Sequence, residues 1–407
     1  MCIVALLAAG CAEPVTSDND GTAEQSVEPV APGPLPVDPP DLTEQEIRDG
    51  WISLFDGTSL YGWEVPAETN WHVEDGCIVA DSGERSLLLT PFRFSDFEMR
   101  CDFHLAEGGN SGVFLRTADD ASNPATDTYE LNICDSHPSH GTGSLVARHV
   151  AEGVPPVEGH WHTFRILCEG ARIQVWLDGS SIVDFTDESD QQRLDGRIGL
   201  QMNSGRIAFR NVFLKPVGAE PLFNGQDLTG WSVVPGSAGE FKVVDGMIHV
   251  TGGRGFLETD REFASFILQA EVRTNGDALN SGIFFRSMPG TTEAPSNGYE
   301  MQIHNGVRNG DRRQPADHGT GGIFKRQSAR VVMSNDHQWT AMTLIAQGSR
   351  FATWVNGYQV VDWTDQRPPN PNPREGLRVE AGRLSLQAHD PTTDLDFRTF
   401  RIAPMPQ

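Results

Sequence analysis

The chain has 407 residues and a formal net charge of −25, with 38% hydrophobic and 21% charged residues. This length exceeds one ordinary domain and predicts two, and the composition is that of globular proteins. The negative charge argues against a nucleic-acid partner, whose phosphates require a basic surface, and against docking on anionic lipid headgroups.

The N-terminus reads MCIVALLAAGCAEP and resembles a bacterial lipoprotein signal. Its apolar run is too short to span a bilayer but suits the core of a signal peptide. Three small residues precede Cys11, as in a lipobox, which implies cleavage before Cys11 and lipidation of its thiol. Residues 1–11 are therefore predicted to be a lipoprotein-type signal segment, although no Lys or Arg occurs before Arg48. A start codon assigned too far downstream would account for that departure.

We accordingly expect an exported protein, periplasmic or attached to the outer membrane, that meets a membrane only through its lipid anchor. Residues 12–48 are rich in Pro, Asp, Glu, Ser and Thr, as in APGPLPVDPPDLTEQE. Such a segment buries little apolar surface, so it is predicted to be a disordered tether that holds the globular part away from Cys11.

The rest of the chain contains an internal repeat of two copies. LFDGTSLYGW at 54–63 recurs as LFNGQDLTGW at 222–231, and WLDGSSIVDFTD at 176–187 recurs as WVNGYQVVDWTD at 354–365. A repeat of this length indicates tandem domains rather than a solenoid. We place the two domains at 49–216 and 219–404.

Each copy is predicted to be all-β. The stretch TFRILCEGARIQVWLDGSSIVDFTD alternates apolar and polar residues between EG and DG turn signals, which is typical of consecutive hairpins. No segment shows a sustained helical period. Many short strands with Gly-rich turns indicate a two-sheet sandwich of the jelly-roll type.

Four cysteines lie in the first copy, at Cys77, Cys101, Cys134 and Cys168, and none lies in the second. The shared fold therefore does not require a disulfide, and these residues are interpreted as small core side chains. A disulfide stays open in an oxidising compartment, and CxxC zinc spacing is absent.

The strand YEMQI in the second copy carries the most informative polar pattern. Successive side chains of a strand point to opposite sides, so Glu300, Gln302 and His304 share one face. Arg286 ends the preceding strand SGIFFR and would lie beside Glu300 if the strands pair. An ion pair that only supports the sheet is the alternative to a catalytic role.

Two further segments add polar candidates. Gln387 and His389 share a face in LSLQAHD, and DHGTGGIFK brings His318 and Lys325 near a Gly-rich turn that a ligand could approach closely. The alternative for His304 and His389 is an ordinary exposed position on the sheet. The alternative for Lys325 is a solvated charge on an edge strand.

Taken together, the motifs SLFDGTSLYGW, NSGVFLR, GYEMQIHN, GTGGIF and EAGRLSLQAHD resemble the 3-keto-disaccharide hydrolase family, also described as 3-keto-glucoside lyases and 3-keto-2-hydroxyglucal hydratases. The resemblance spans roughly residues 50–404, in two tandem copies. It implies concanavalin A-like jelly-roll sandwiches, a carbohydrate substrate oxidised at C3, and cleavage by elimination and hydration.

That chemistry needs a base for the C2 proton and a donor or cation for the enolate oxygen. Under the resemblance, Glu300 or His318 is the base, and Arg286, Lys325 or a divalent cation holds the oxygen. Gln302, His304, Gln387 and His389 are assigned to substrate binding. The paired carboxylates of ordinary glycosidases are not required, and neither copy places two acids on one face of this strand.

The first copy keeps part of this set. Arg116, Glu130 and His140 match Arg286, Glu300 and His318, and are assigned to substrate binding. The positions of Gln302, His304, Lys325 and His389 are instead occupied by Asn132, Cys134, Ala147 and Asn203. The second domain is therefore predicted to be the active copy.

The segment CDSHPSHGTG adds His137 and Asp135 near His140 and His149, which could hold a metal ion. Their spacing fits no strong metal template, so a surface loop with solvated histidines is favoured. The leading alternative function is a non-catalytic, lectin-like carbohydrate-binding protein, because fold alone does not decide activity.

Overall fold

A computed structural model describes residues 30–123 and 125–406 of the chain. Within these residues the chain is almost entirely β-structure, with one short helix, α1 (Glu44–Asp49). The strands form two groups that follow the two sequence copies. The predicted fold class, two tandem β-sandwich domains, is confirmed.

The first domain is built from two antiparallel sheets. Its strands are β1 (Ile52–Ser53), β2 (Thr69–Glu74), β3 (Cys77–Gly83), β4 (Ser86–Phe94), β5 (Phe97–Leu105), β6 (Asn110–Thr117), β7 (Tyr129–Ile133), β8 (Trp161–Glu169), β9 (Arg172–Leu177), β10 (Ser180–Thr186), β11 (Gly196–Ser204) and β12 (Ile207–Pro216). The larger sheet has the order β10-β9-β8-β5-β12-β3-β2, with β1 paired to β12, and the smaller sheet has the order β4-β11-β6-β7.

The second domain repeats this plan. Its strands are β13 (Glu220–Pro221), β14 (Trp231–Val233), β15 (Glu240–Val244), β16 (Met247–Thr251), β17 (Gly255–Phe263), β18 (Phe266–Thr274), β19 (Ser281–Ser287), β20 (Tyr299–Ile303), β21 (Val307–Arg308), β22 (Asp311–Pro315), β23 (Thr340–Gln347), β24 (Arg350–Val355), β25 (Tyr358–Thr364), β26 (Gly382–Ala388) and β27 (Asp394–Pro404). The larger sheet has the order β15-β16-β27-β18-β23-β24-β25, with β13 on β27. The smaller sheet has the order β14-β17-β26-β19-β20, and β21 and β22 form a separate ribbon.

The hairpins follow from the turn signals in the sequence. Asp75 and Gly76 join β2 to β3 with φ values of 49° and 72°, and Asp245 and Gly246 join β15 to β16 with 50° and 76°. Two successive positive φ values define the tight turn that matches the twist of paired strands, and Asp-Gly adopts it at low cost. The same turn therefore forms at matching points in both domains.

Apolar side chains from both sheets fill each sandwich. In the second domain, Ile283 and Phe285 of β19, and Tyr299, Met301 and Ile303 of β20, belong to one buried cluster with residues of the larger sheet. Burying each such side chain contributes about 1.5–3 kcal/mol. Because these residues point inward, their sequence neighbours on the same strands point to the outer face of the smaller sheet.

The two domains also share buried contacts. Trp354 of β24 is 2% exposed and belongs to the same apolar cluster as first-domain residues such as Leu54. Its indole nitrogen donates to the carbonyl of Ser53 at 2.7 Å, and Arg330 pairs with Asp56 at 2.7 Å. The larger sheet of the second domain is thus covered on one side by the first domain.

The described part of the predicted tether is not a free linker. Val30 pairs with Val307 through two backbone hydrogen bonds of 3.1 Å, and Arg312 donates to the carbonyl of Gly33 at 2.6 Å. Helix α1 then begins with a capping box between Thr43 and Glu46. The expectation of disorder is therefore wrong for residues 30–48, because backbone pairing and apolar contacts tie the segment to the second domain.

Residues 1–29, including Cys11 and the rest of the signal segment, lie outside the described residues. Among the described residues, no helix combines the length and the apolar character that crossing a membrane requires. Cys77, Cys101, Cys134 and Cys168 are all buried free thiols, which agrees with their interpretation as core side chains. Burial raises the pKa of Cys168 to about 12, so this thiol stays protonated and unreactive.

Candidate active site

The polar residues of β20 lie on the outer face of the smaller sheet in the second domain, as their alternation predicts. Glu300, Gln302 and His304 are only 4%, 0% and 5% exposed. A loop pairs with the edge of β20, where the backbone N–H of Gln302 donates to the carbonyl of Gly322 at 2.8 Å and the carbonyl of Glu300 accepts from the backbone N–H of Phe324 at 2.9 Å. The polar row is therefore enclosed instead of facing open solvent.

The side chain of Glu300 extends over Gly282 of the neighbouring strand β19. A β-carbon at Gly282 would come within 2.7 Å of the Glu300 Oε1 atom and 2.8 Å of its Cγ. Such distances are sterically forbidden, so only glycine leaves room for this carboxylate. Gly282 pairs with Gln302 in the sheet register, so the Glu300 carboxylate lies over β19 next to Gln302.

The partner of Glu300 is Arg374, from the long connection between β25 and β26. The Arg374 Nη2 atom lies 3.0 Å from the Glu300 Oε2 atom, and its guanidinium carbon lies 5.0 Å from the Phe284 ring centre. Burial raises the pKa of Glu300 above its ordinary value, and the positive charge of Arg374 offsets only part of that effect. A buried carboxylate with a raised pKa beside a cation is a typical acid–base arrangement.

Gln302 is held by a second carboxylate. Its Nε2 atom donates to Asp317 Oδ2 at 2.8 Å, and Asn280 Nδ2 donates to the same oxygen at 2.5 Å. These bonds fix the orientation of the amide, and the Gln302 Oε1 atom is buried without a hydrogen-bond partner among the described residues. The free oxygen is thus presented in a fixed position.

Two imidazoles border the same face. Burial lowers the pKa of His304, which keeps its ring neutral near pH 7, and its Nδ1 atom has no partner among the described residues. His389 is more accessible, with 41% of its side chain exposed, and its Nδ1 atom lies 2.9 Å from Asp390. His389 lies close enough to Glu300 and His304 for a protonated imidazole to lower the pKa of both groups, so all three border one site.

Strand β26 supplies the remaining polar atoms. Leu384 and Leu386 point into the core, so Ser385 and Gln387 point to the outer face. Gln387 Oε1 and Ser385 Oγ are buried, and neither has a hydrogen-bond partner within the described part of the chain. Leaving a buried polar atom unpaired costs about 1–3 kcal/mol. Several such atoms on one face are the feature expected of a site that recognises a hydroxyl-rich ligand.

Arg286 does not join this site, and the expected pair with Glu300 is not formed. Glu300 lies opposite Phe284 in the sheet register. Arg286 follows a register irregularity, has φ of 49°, and is fully buried. Its guanidinium donates to the carbonyls of Ala264, Gly348 and Arg378 at 2.6–2.8 Å. Arg286 thus ties three backbone segments together.

His318 and Lys325 lie in the loop that covers β20. The Nε2 atom of His318 accepts a hydrogen bond from the backbone N–H of Lys325 at 3.1 Å, and its Nδ1 atom lies 3.1 Å from Ser328. The lone pair that a base would use is therefore occupied by the loop. The Lys325 side chain is exposed at the rim, with its nitrogen 5.3 Å from the Phe324 ring centre.

Comparison with known proteins assigns the chain to a family. The model of the 3-keto-alpha-glucoside-1,2-lyase-like domain matches twice, at residues 50–215 and 218–403. The chain belongs to this family. A curated relative, the 3-keto-disaccharide hydrolase of Bacteroides thetaiotaomicron, is 27% identical over an alignment that covers 44% of this chain and 80% of that protein.

Two crystal structures from Parabacteroides distasonis, provisionally named glycosyl hydrolases, are also similar. One is 23% identical with a TM-score of 0.39 and covers 44% of this chain and 100% of the other. The second is 25% identical with a TM-score of 0.36 and covers 41% and 99%. The family membership supports a glycoside-hydrolase enzyme that acts on carbohydrate, and each of these neighbours is matched over less than half of this chain.

In the first domain, the residues that match Arg286, His318 and Glu300 make mainly structural contacts. Arg116 is fully buried and donates to three backbone carbonyls, and it also pairs with Asp96 at 3.0 Å. His140 accepts a hydrogen bond from the backbone N–H of Ala147 at 3.2 Å. Glu130 lies on the outer face, where Gln201 donates to it at 3.2 Å.

Two of the first-domain residues that were considered as metal ligands, Asp135 and His137, make hydrogen bonds within a loop. Asp135 accepts hydrogen bonds from Thr142 and from the backbone of Val157 and Glu158 at 2.7–3.1 Å. His137 accepts from the backbone N–H of His140 at 2.9 Å. Within residues 30–123 and 125–406, no group of three or more His, Cys, Asp or Glu is arranged to hold a metal ion.

Sequence reasoning missed Arg374, Asp317 and the enclosing Phe284. For Arg374, a signal lies in a difference in loop length between the two copies. Tyr129 and Tyr299 make the same hydrogen bonds to Asp187 and Arg193, and to Asp365 and Arg378, respectively. Five residues separate the first pair and twelve separate the second. This insertion in the second copy contains Arg374.

Proposed function

We propose that the second domain cleaves 3-keto glycosides by proton abstraction at C2, elimination of the C1 substituent and addition of water. The observation that carries the proposal is Glu300, a buried carboxylate of raised pKa paired with Arg374 beside several unpartnered polar atoms. The family membership supports the substrate class.

The reaction proceeds in two stages. The base takes the proton from C2, and the electrons of that bond form an enolate with the C3 oxygen. Collapse of the enolate forms a C1–C2 double bond and breaks the C1–O bond, and the leaving alcohol takes up a proton. Water then adds its oxygen to C1 and a proton to C2, so the net change is hydrolysis.

Glu300 is assigned as the base. Its raised pKa makes the carboxylate a stronger base, better suited to remove the C2 proton next to the ketone. Arg374 is assigned to the enolate oxygen. Only one of its nitrogens is engaged by Glu300, so the guanidinium can hold both carboxylate and oxygen. This assignment replaces Arg286, whose donors are directed at backbone carbonyls.

The remaining residues bind the sugar and its leaving group. Gln302 and Gln387 present unpartnered carbonyl oxygens that accept from sugar hydroxyls, and the neutral ring of His304 offers its Nδ1 atom. His389 lies at the accessible edge and is assigned as the acid for the leaving alcohol. Lys325 stays at the rim, where it would meet an extended leaving group.

The proposal is tested with a 3-keto-glucoside and its unoxidised parent, each incubated with the full chain and analysed for released alcohol. We expect cleavage of the ketone only, because the C2 proton is acidic only beside a carbonyl. Equal cleavage of both compounds would contradict the mechanism, and binding of both without cleavage would indicate a lectin-like protein. A parallel incubation with chelator tests the divalent-cation hypothesis. Unchanged turnover is expected if Arg374 supplies the positive charge.

A second prediction concerns pH. Arg374→Met should lower kcat/KM near neutrality by about 10²–10³, the usual effect of removing an oxyanion donor. The acid limb of the kcat/KM profile, where the base becomes protonated, should also move to higher pH. The reason is that the Arg374 charge lowers the pKa of Glu300, so its removal raises that pKa further. Arg374→Lys retains the charge and should keep the limb near its original position. An unmoved limb in Arg374→Met would remove Glu300 as the titrating base.

A further inference from the structure

The first domain has a cavity of about 270 Å³ on the outer face of its smaller sheet. Part of its lining is formed by Arg85, Ser86, Leu87, Phe114, Thr128 and Gln201. The sheet register shows that Phe114 lies opposite Glu130, and Gln201 opposite Gly112. The cavity therefore occupies the same place in the first domain as the candidate active site does in the second.

This cavity is open because the first copy lacks the insertion. In the second domain, Arg374 lies 5.0 Å above the Phe284 ring and covers it. The matching connection in the first domain has only residues 188–192 between its anchoring Asp187 and Arg193. Among the described residues, no cation lies over the Phe114 ring, which lines the cavity although only 4% of this residue is exposed.

The polar groups of the cavity are arranged for a ligand. Gln201 is 1% exposed and donates through Nε2 to Glu130 at 3.2 Å, so its amide is oriented. Its Oε1 atom is buried without a hydrogen-bond partner among the described residues. Arg85 is exposed at the mouth and makes no ion pair with any residue that the structure describes. The cavity thus offers a fixed acceptor inside and a cationic donor outside.

The catalytic set is incomplete here. Asn132, Cys134 and Asn203 stand where the second domain has Gln302, His304 and His389. Burial raises the pKa of Glu130, yet its hydrogen-bond partner is an amide instead of a guanidinium. The one cation that lines the described part of this cavity, Arg85, lies exposed at the mouth and is not hydrogen-bonded to Glu130, unlike Arg374, which pairs with Glu300.

We propose that the first domain is a separate, non-catalytic binding site for a neutral pyranose unit. The apolar face of the sugar ring would pack on Phe114 and Leu87, one hydroxyl would donate to Gln201 Oε1, and Arg85 would donate to an outer hydroxyl. A volume of about 270 Å³ suits a single sugar ring. The proposal does not depend on the reaction of the second domain, because recognition here requires no ketone.

The test uses the unoxidised parent glucoside as the probe, titrated calorimetrically into the full chain with the Glu300→Gln substitution in the second domain. In that background, Arg85→Ala combined with Gln201→Leu should weaken first-site binding at least tenfold. In the otherwise unaltered chain, the same pair should leave turnover of the 3-keto-glucoside unchanged. The matched control Gln387→Leu removes the equivalent amide in the second domain and should spare first-site binding.

Two results would overturn the proposal. One is the absence of probe binding at millimolar concentrations, and the other is binding that Arg85→Ala and Gln201→Leu leave intact while Gln387→Leu abolishes it. Because Arg85 is exposed, Arg85→Ala alone provides a variant whose folding is not at risk. If the unaltered chain did not turn over the 3-keto-glucoside, the proposed reaction would be contradicted. The first-domain site would not be, because calorimetric binding and turnover are measured independently.

Discussion

Glu300→Gln should lower turnover of a 3-keto-glucoside by about 10²–10⁴, the usual contribution of a positioned general base. The amide keeps the shape of the side chain, so it still fits across Gly282, but it cannot take the C2 proton. Arg374 is 28% exposed and can be solvated when its carboxylate partner is lost. The folded structure should therefore survive, with a melting transition close to that of the unaltered chain.

Glu130→Gln is the matched control, because Glu130 occupies the same strand position in the first domain. Its turnover should remain unchanged. If Glu130→Gln abolished activity while Glu300→Gln did not, the active copy would be the first domain. Unfolding of Glu300→Gln would instead assign Glu300 a structural role in the sheet.

Arg286→Met should destabilise the protein by about 3 kcal/mol without acting on the chemical step. The substitution removes the fully buried guanidinium from which the carbonyls of Ala264, Gly348 and Arg378 accept, and each polar group left buried and unpaired costs about 1–3 kcal/mol. Burial lowers the pKa of Arg286 to about 10, so the guanidinium remains charged near neutrality and its bonds are strong. The measurement is the free energy of unfolding in denaturant.

The distinguishing readout is turnover of the fraction that remains folded below the transition. We expect kcat close to that of the unaltered chain. A stable Arg286→Met variant with no activity would show that Arg286 acts on the substrate after all. Arg116→Met provides a parallel in the first domain, where the loss of an additional pair with Asp96 should make the destabilisation at least as large.

The placement of Arg286 shows why strand alternation was insufficient at this position. A regular strand would put Phe284 and Arg286 on the same face. The register between β19 and β26 shifts after Phe284, and Arg286 takes a left-handed conformation. Such a bulge re-aims the side chain, and an ordinary sequence such as GIFFRS carries no signal for it.

His318 illustrates a second limit. A histidine before Gly-Thr-Gly in both copies suggested chemistry, but His318 and His140 each accept a hydrogen bond from a loop backbone N–H, at 3.1 and 3.2 Å. A repeated residue in a repeated loop can therefore reflect a repeated structural task. Only the three-dimensional contacts separate that task from acid–base chemistry.

Two all-β domains, the family, and the shared face of Glu300, Gln302 and His304 can all be predicted from the residue pattern. These features follow from local rules, since turn residues and strand alternation act over a few neighbouring positions. Three features are visible only in the folded chain: Arg374 is the partner of Glu300, the polar row is enclosed, and the first-domain cavity stays open. Those features depend on how an inserted loop docks on a distant strand, which packing decides and residue periodicity does not encode.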